Sequence, residues 1–226
     1  MSDIPYGEWS AFVEELCLLH DKRPRTALDL ACGTGNFSLL LEERGLSVVG
    51  VDPSPDMLRV ARRKARERGS RVRFVEGGLP GLPELGRFDL ATCIFDSINY
   101  IPEKAALVES LRAVSRALLP GGVFIFDANT PVGLTTLWGN KTDHRKAGGV
   151  HMVWNLTCDL EGRRARLEIL FPDGAVEIHE ETGYTTGELA GAVEEAGLEL
   201  LGAYDDRVIR PAGLKSDRVW VVAEKS

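Results

Sequence analysis

Five residues in the stretch "TALDLACGTGNFSLLL", Thr26 to Leu41, could act on a ligand together: Asp29, Ala31, Gly33, Thr34 and Gly35. They fall where a strand-like run gives way to an apolar-periodic one. Glycines at such a corner have two uses. They permit a tight turn that merely packs well, or, lacking Cβ, they let a ligand touch backbone amides. The N-terminus of the following helix aims free N–H groups and partial positive charge at the same spot. Asp52 ends a second strand-like run, "SVVGVD", 19 residues after Gly33. A carboxylate there can accept hydrogen bonds from both hydroxyls of a ribose. A nucleoside cofactor is therefore the rival of a purely structural turn.

More polar residues gather at the ends of later strand-like runs. Asp96, Asn99 and Tyr100 follow "FDLATCIF", and Asp127 and Asn129 close "GVFIFDAN". On a parallel sheet these positions share one edge with the glycine turn, so they are the candidates for touching a second substrate. Asn99 could equally cap a helix. His179 and Tyr184, in "EIHEETGY", could close the top of such a pocket. His144 and His151 lack an acid or Cys to complete a metal site, and Cys17, Cys32, Cys93 and Cys158 form no CxxC pair. The expectation is a reduced, cytoplasmic protein without a metal. No conspicuous catalytic group stands out.

The elements that must position these residues follow from periodicity. Strands are expected at Thr26–Leu30, at "SVVGVD", "VRFVE", "FDLATCIF" and "GVFIFDAN". Helices are expected over Asn36–Arg44, with Gly45 as its stop, from Ser54-Pro55 to Arg68, with Gly69 after it, and from Pro102 to "LLPGG". Strand–helix–strand units of this kind imply a parallel sheet covered on both faces. From 151 to 184 the period becomes two, with Met152, Trp154, Leu156, Cys158 and Leu160 on one face. The turn signals "LEGR" and "FPDGA" divide this region into three antiparallel strands, an inserted meander within 131–184. Thr185-x-x-Glu188 opens one more helix, and "LELLGAYD" and "RVWVVAE" read as a closing hairpin. One domain spanning 1–226 results. The apolar meander face, with Trp138 and Trp154, calls for a cover: a lid, an acceptor site or a second subunit, which makes a homodimer through the meander an expectation.

Composition narrows the partners. The chain has 226 residues, 27 Lys+Arg against 34 Asp+Glu, and a formal net charge of −7. No global positive field draws in nucleic acid. The one basic cluster, Arg59–Arg73, carries eight basic residues and one acidic, and reads as the solvated face of a helix. No run of about 18 apolar residues exists to span a membrane, and the start, Met1 to Pro5, lacks a signal-peptide pattern. A dinucleotide would want G-x-G-x-x-G, but Ser38 holds the third place. Asp29 would also repel a pyrophosphate. A cationic ligand would be favoured instead.

"LDLACGTGNFSLLL" resembles motif I of the class I S-adenosylmethionine-dependent methyltransferases, and "VVGVDPSPDML" resembles the acidic-loop motif that follows it. "FDLATCIFDSINYI", "LLPGGVFIFDANTP" and the meander ending in "EIHEETGY" are similar to a bacterial small-molecule branch related to glycine and aminosugar N-methyltransferases. The resemblance covers nearly the whole chain. It implies a seven-stranded, doubly wound, mostly parallel α/β sheet with an antiparallel last strand, and S-adenosylmethionine as cofactor, leaving S-adenosylhomocysteine. It places Asp29, Ala31, Gly33, Thr34 and Gly35 around the methionine end, Asp52 on the ribose, Pro53 and Met57 beside the adenine, and Phe95 near the sulfur. The family often has Asp after strand three; here Gly78 stands there, and Leu79 is left to offer its amide to the ring. "DIPYGEW" resembles the start of the family's first helix, with Tyr6 and Trp9 as lid residues over a shortened front. The implied activity is methyl transfer to nitrogen or oxygen of a small-molecule acceptor. The alternative is a protein that binds the cofactor without transferring methyl.

Overall fold

The computed structural model describes residues 5–159 and 161–226, so residues 1–4 and the expected face residue Leu160 lie outside it. The chain opens with helix α1 (Tyr6–Leu19), which buries Trp9, Phe12, Val13 and Leu16. Strand β1 (Thr26–Leu30) leads through the glycine turn into α2 (Asn36–Glu43). Next come β2 (Ser47–Asp52) and α3 (Pro55–Arg68). The ends of α3 follow the sequence: Ser54 accepts the Met57 N–H at 3.3 Å, and Gly69 closes it with φ 65°. Then follow β3 (Arg73–Glu76), β4 (Phe88–Cys93), a 3-10 turn at Ser97–Tyr100, α4 (Lys104–Ala117) and β5 (Leu118–Asn129).

After β5, the one-turn helix α5 (Pro131–Gly133) and a turn at Leu134–Trp138 lead into the insertion. It consists of β6 (Lys141–Ala147), β7 (Val150–Cys158), β8 (Arg164–Leu170) and β9 (Val176–Thr182). The chain closes with α6 (Thr186–Glu195), capped by the Thr185–Glu188 box, then β10 (Glu199–Asp205) and β11 (Arg218–Glu224).

The main sheet has seven strands in the order β10-β11-β5-β4-β1-β2-β3. Only β11 runs antiparallel to its neighbours, β5 and β10. One face buries Leu28, Leu30, Phe124 and Phe126 against Leu107 and Leu111 of α4 and Leu189 and Val193 of α6. The other packs Ala27, Leu90 and Ile125 against Phe12 and Leu16 of α1, Phe37 of α2 and Leu58 of α3. Strand order reverses between β1 and β4, where a ligand crevice opens in doubly wound sheets. No helix intervenes between β3 and β4; residues 77–87 cross as a loop.

The insertion corrects one expectation. It is a four-stranded sheet, β6-β7-β8-β9, and not a three-stranded one. Its first strand, "KTDHRKA", shows no apolar alternation because it is an exposed edge, where charged residues discourage pairing with another chain. The apolar face of β7 turns inward. Leu134 packs on Cys158 and Ala165, while Trp138 bridges them to Leu156, Met152 and Trp154. Part of the cover for that face therefore comes from Leu134 and Trp138 of the same chain, while Met152 and Trp154 stay only partly buried.

Asn99 holds the two sheets together. Its Nδ2 donates to the carbonyls of Asn129 (2.8 Å) and Thr182 (2.7 Å), and its Oδ1 accepts the Asn129 N–H at 2.8 Å. It is fully buried and caps no helix. Asn99→Ala strands these backbone groups, at a cost of about 2 to 3 kcal/mol. Urea unfolding should show that loss, with faster proteolysis within 141–182; unchanged stability contradicts the clamp.

Candidate active site

The glycine turn is built from left-handed backbone. Ala31, Gly33 and Gly35 have φ of 52°, 53° and 76°. A Cβ on Gly35 would lie 2.6 Å from the Phe74 ring, so packing alone demands that glycine. A Cβ on Gly33 would meet nothing within 4 Å. The main chain there is bare and open, a cradle that a side chain would fill. Asp52, at the end of β2, accepts the Gly33 N–H at 2.8 Å and the Ser54 N–H at 2.9 Å. A carboxylate has about four acceptor sites, so it still has room for ribose hydroxyls. Lys64 of α3 donates to Thr34 Oγ1 (2.9 Å) and Asn36 Oδ1 (2.7 Å), bracing the turn from the side.

Asp29 sits beneath the turn and does not reach its surface. Ser38 Oγ donates to one carboxylate oxygen at 2.5 Å and Thr92 Oγ1 to the other at 2.9 Å. This explains Ser38 where a dinucleotide fingerprint has glycine: its hydroxyl is needed by Asp29. Burial without a cation pushes the Asp29 carboxyl up to about 6.

Around the cradle the remaining cofactor candidates fall on one rim. Pro53 is exposed beside Gly78, whose Cβ would lie 3.6 Å from the proline ring. Met57 is exposed in the first turn of α3, and Leu79 is half-buried after β3. Phe95 and Asp96 both adopt left-handed φ, 63° and 51°, as the chain leaves β4. Consecutive non-glycine residues there are strained, and such strain concentrates at functional sites. The turn throws the Phe95 ring outward against Trp9, with ring centres 5.5 Å apart, and Trp9 stacks edge-on with Tyr6. Helix α1 thus brings the expected lid residue Trp9, with Tyr6 against it, to the Phe95 turn.

The acceptor candidates converge on a buried polar cluster. Arg218, the first residue of β11, donates to Asp96 at 3.1 Å and to Asp127. Asn129 Nδ2 donates to Asp96 (3.1 Å) and to Glu181 of β9 (3.0 Å). The Asp96 N–H donates to Asp127 at 3.1 Å. Two carboxylates therefore share one guanidinium, and Asn129 ties a third, Glu181, to Asp96. Burial pushes the Asp127 carboxyl up, with Arg218 pulling against it, to about 6. Burial and then Asp96 push Glu181 up to about 9. Arg218 loses charge stability to burial and regains more from Asp127 and Asp96, so its cation is firmly held. Asp127 Oδ1 and Asn129 Oδ1 are buried without a partner.

Tyr100 is half exposed and its hydroxyl pairs with His179 Nδ1 at 2.8 Å, with Glu177 on the other ring nitrogen at 3.1 Å. Tyr184, expected at the roof, is instead part of the core, its hydroxyl donating to the Ile101 carbonyl. Glu181 and Arg218 were not foreseen as site residues. The one signal was an acid two places after His179, hence on the same inward face of β9. Among the described residues no group of three or more His, Cys, Asp or Glu could hold a metal ion, and no helix is long and apolar enough to cross a membrane. All four cysteines are free and buried.

A doubly wound sheet with an open glycine cradle and a carboxylate at its switch point suits a nucleoside cofactor. The comparisons narrow the class. Residues 27–122 match the family described as a methyltransferase domain. A crystal structure of an S-adenosylmethionine-dependent methyltransferase from Clostridium acetobutylicum superposes with a TM-score of 0.89 at 30% identity, covering 100% of this chain and 94% of that one. The cypemycin N-terminal methyltransferase of a Streptomyces species is 31% identical over 89% of this chain and 83% of its own length. The dTDP-3-amino-3,6-dideoxy-alpha-D-glucopyranose N,N-dimethyltransferase of Streptomyces fradiae is 28% identical over 86% and 78%. The chain belongs to the S-adenosylmethionine-dependent methyltransferases.

Two predictions follow from this geometry. Asp52→Ala should weaken S-adenosylmethionine binding by about 2 kcal/mol or more, the scale of lost charge-assisted hydrogen bonds; unchanged affinity by calorimetry removes Asp52 from the ribose. Because Asp29 holds its proton more tightly when folded, its share of stability is present at low pH and fades as pH rises from about 4 to about 6. Asp29→Asn should therefore flatten the decline in melting temperature across that window, by roughly 2 to 3 kcal/mol. An equally steep decline in the variant contradicts the assignment.

Proposed function

We propose that this protein transfers a methyl group from S-adenosylmethionine to the nitrogen of a small-molecule amine. The observation that carries the reading is the charge count at the β4–β5 edge: the carboxylates of Asp96 and Asp127 face the one guanidinium of Arg218, and Glu181, raised to about 9 and so holding its proton near pH 7, adds no cation. Such a cluster lacks positive charge, and an amine that becomes a methylammonium supplies it. A hydroxyl acceptor gains nothing there. The names of two relatives, an N-terminal methyltransferase and an amino-sugar N,N-dimethyltransferase, also speak for nitrogen.

The bound cofactor supplies a sulfonium methyl open to in-line displacement. The chain's own work is alignment, exclusion of water and management of charge. The Gly33–Gly35 main chain would hold the methionine end and Asp52 the ribose. Pro53, Met57 and the Leu79 amide would enclose the adenine. Tyr6, Trp9 and Phe95 would exclude water from the reacting end. Asp96 and Asp127 favour positive charge appearing on the acceptor nitrogen, because charges in a buried site act more strongly than in water.

Purified protein incubated with S-adenosylmethionine and parallel panels of small amines and hydroxylated metabolites tests the reading through S-adenosylhomocysteine release. Turnover of amines is expected. Turnover of hydroxyl compounds alone overturns the nitrogen assignment, and product from neither panel favours a cofactor-binding protein without transfer.

A further inference from the structure

Residues of β11 alternate between the two faces of the main sheet. Val219 and Val221 pack with α4 and α6, Trp220 and Val222 with α1. Arg218 has the parity of Trp220 and stands opposite Asn129 of β5. A guanidinium, with only 15% of its side chain exposed, is thereby set on the α1 face at the carboxyl edge of the parallel strands.

From there it reaches both residues of the left-handed turn after β4. Nη2 donates to the Asp96 carboxylate at 3.1 Å. Nη1 donates to Asp127, whose carboxylate also accepts the Asp96 N–H at 3.1 Å. The Cζ of Arg218 lies 5.9 Å from the centre of the Trp9 ring, within cation–π range, and Trp9 is the ring that Phe95 rests against. A closed circuit results: Arg218 to Asp96, Asp96 to Phe95 along the chain, Phe95 to Trp9, and Trp9 back to Arg218.

The turn needs such restraint. Two consecutive non-glycine residues with φ of 63° and 51° do not hold that shape by themselves. No side chain caps the 3-10 turn that follows. The turn also adjoins the cofactor cradle. β1 and β4 are parallel with Leu30 opposite Cys93, so the chain leaving β4 runs beside Ala31–Gly33, and Ile94 and Cys32 are buried in one cluster. Phe95 itself stays 40% exposed.

We propose that Arg218 is a positioning residue for the cofactor site: by gripping Asp96 and Trp9 together it fixes the Phe95 turn beside the cradle. The role rests on S-adenosylmethionine at the cradle and is independent of what the acceptor is. It also requires arginine. A lysine at 218 keeps the positive charge, but a compact ammonium cannot lie along two carboxylates and present a planar face to an indole at once.

¹⁹F NMR of full-length protein labelled with 5-fluorotryptophan tests this without turnover. The chain has four tryptophans, and the Trp9 line is the one lost in Trp9→Phe. In Arg218→Lys the Trp9 line should shift or broaden, while the lines of Trp138 and Trp154 in the insertion stay in place. Calorimetry should show S-adenosylmethionine binding about 10-fold more weakly, the scale of one charge-assisted hydrogen bond. An unmoved Trp9 line, or an affinity within about twofold of wild type, overturns the proposal. If all four lines collapse because Arg218→Lys does not fold, Asp96→Asn decides: asparagine tolerates the left-handed φ but weakens the grip of Arg218. The Trp9 line should then move alone and the affinity fall at least about threefold; no change in either contradicts the circuit. Wild-type protein that binds no S-adenosylmethionine removes the cofactor assignment, whereas wild-type binding that the variants leave intact removes the role of Arg218.

Discussion

The structure depends on an imbalance of charge at the carboxyl edge of its main sheet. Asp29, Asp52, Asp96 and Asp127 end or follow parallel strands there, Glu181 joins them from the insertion, and all five are buried. Arg218 is the cation hydrogen-bonded within the β4–β5 cluster, and Lys64 braces the glycine turn from its neutral side chains. Burying carboxylates without matching cations costs stability, and proteins tolerate it where function gains. Here the deficit suits ligands that bring positive charge: a sulfonium at the cradle and, on the proposed reading, an amine at the cluster.

Hydroxyls and amides, more than ion pairs, make the deficit tolerable. Ser38 and Thr92 donate to Asp29, the Gly33 and Ser54 amides to Asp52, and Asn129 to Asp96 and Glu181. Such donors stabilise a carboxylate while leaving its field unneutralised. The same logic fixes the insertion: Asn99 and Asn129 knit β9 to the end of β5, so the sheet carrying Glu181 and His179 cannot drift from the edge it serves.

Much of the cofactor side was legible in the sequence because it is local. The glycine turn, its helix and Asp52 lie within one strand–helix–strand unit, where turn chemistry and spacing speak directly. Ser54, Pro55 and Gly69 likewise set the ends of α3 without tertiary help. The acceptor side was legible only in part. Asp96, Asn99, Asp127 and Asn129 could be placed at the right edge from strand ends. Their partners could not, since Arg218 lies 122 residues from Asp96, and Glu181 52 from Asn129. β6 escaped notice because an edge strand has no buried face to impose a period of two. Tyr184 misled because a hydroxyl at a strand's end looks functional until Ile101 is seen to occupy it.

Calorimetric titration of the protein with S-adenosylmethionine and, separately, with NAD is the most direct test of the charge-deficient edge. One molecule of S-adenosylmethionine should bind per chain and NAD should not bind measurably. Saturable binding of NAD, or no binding of the sulfonium compound, would contradict the account.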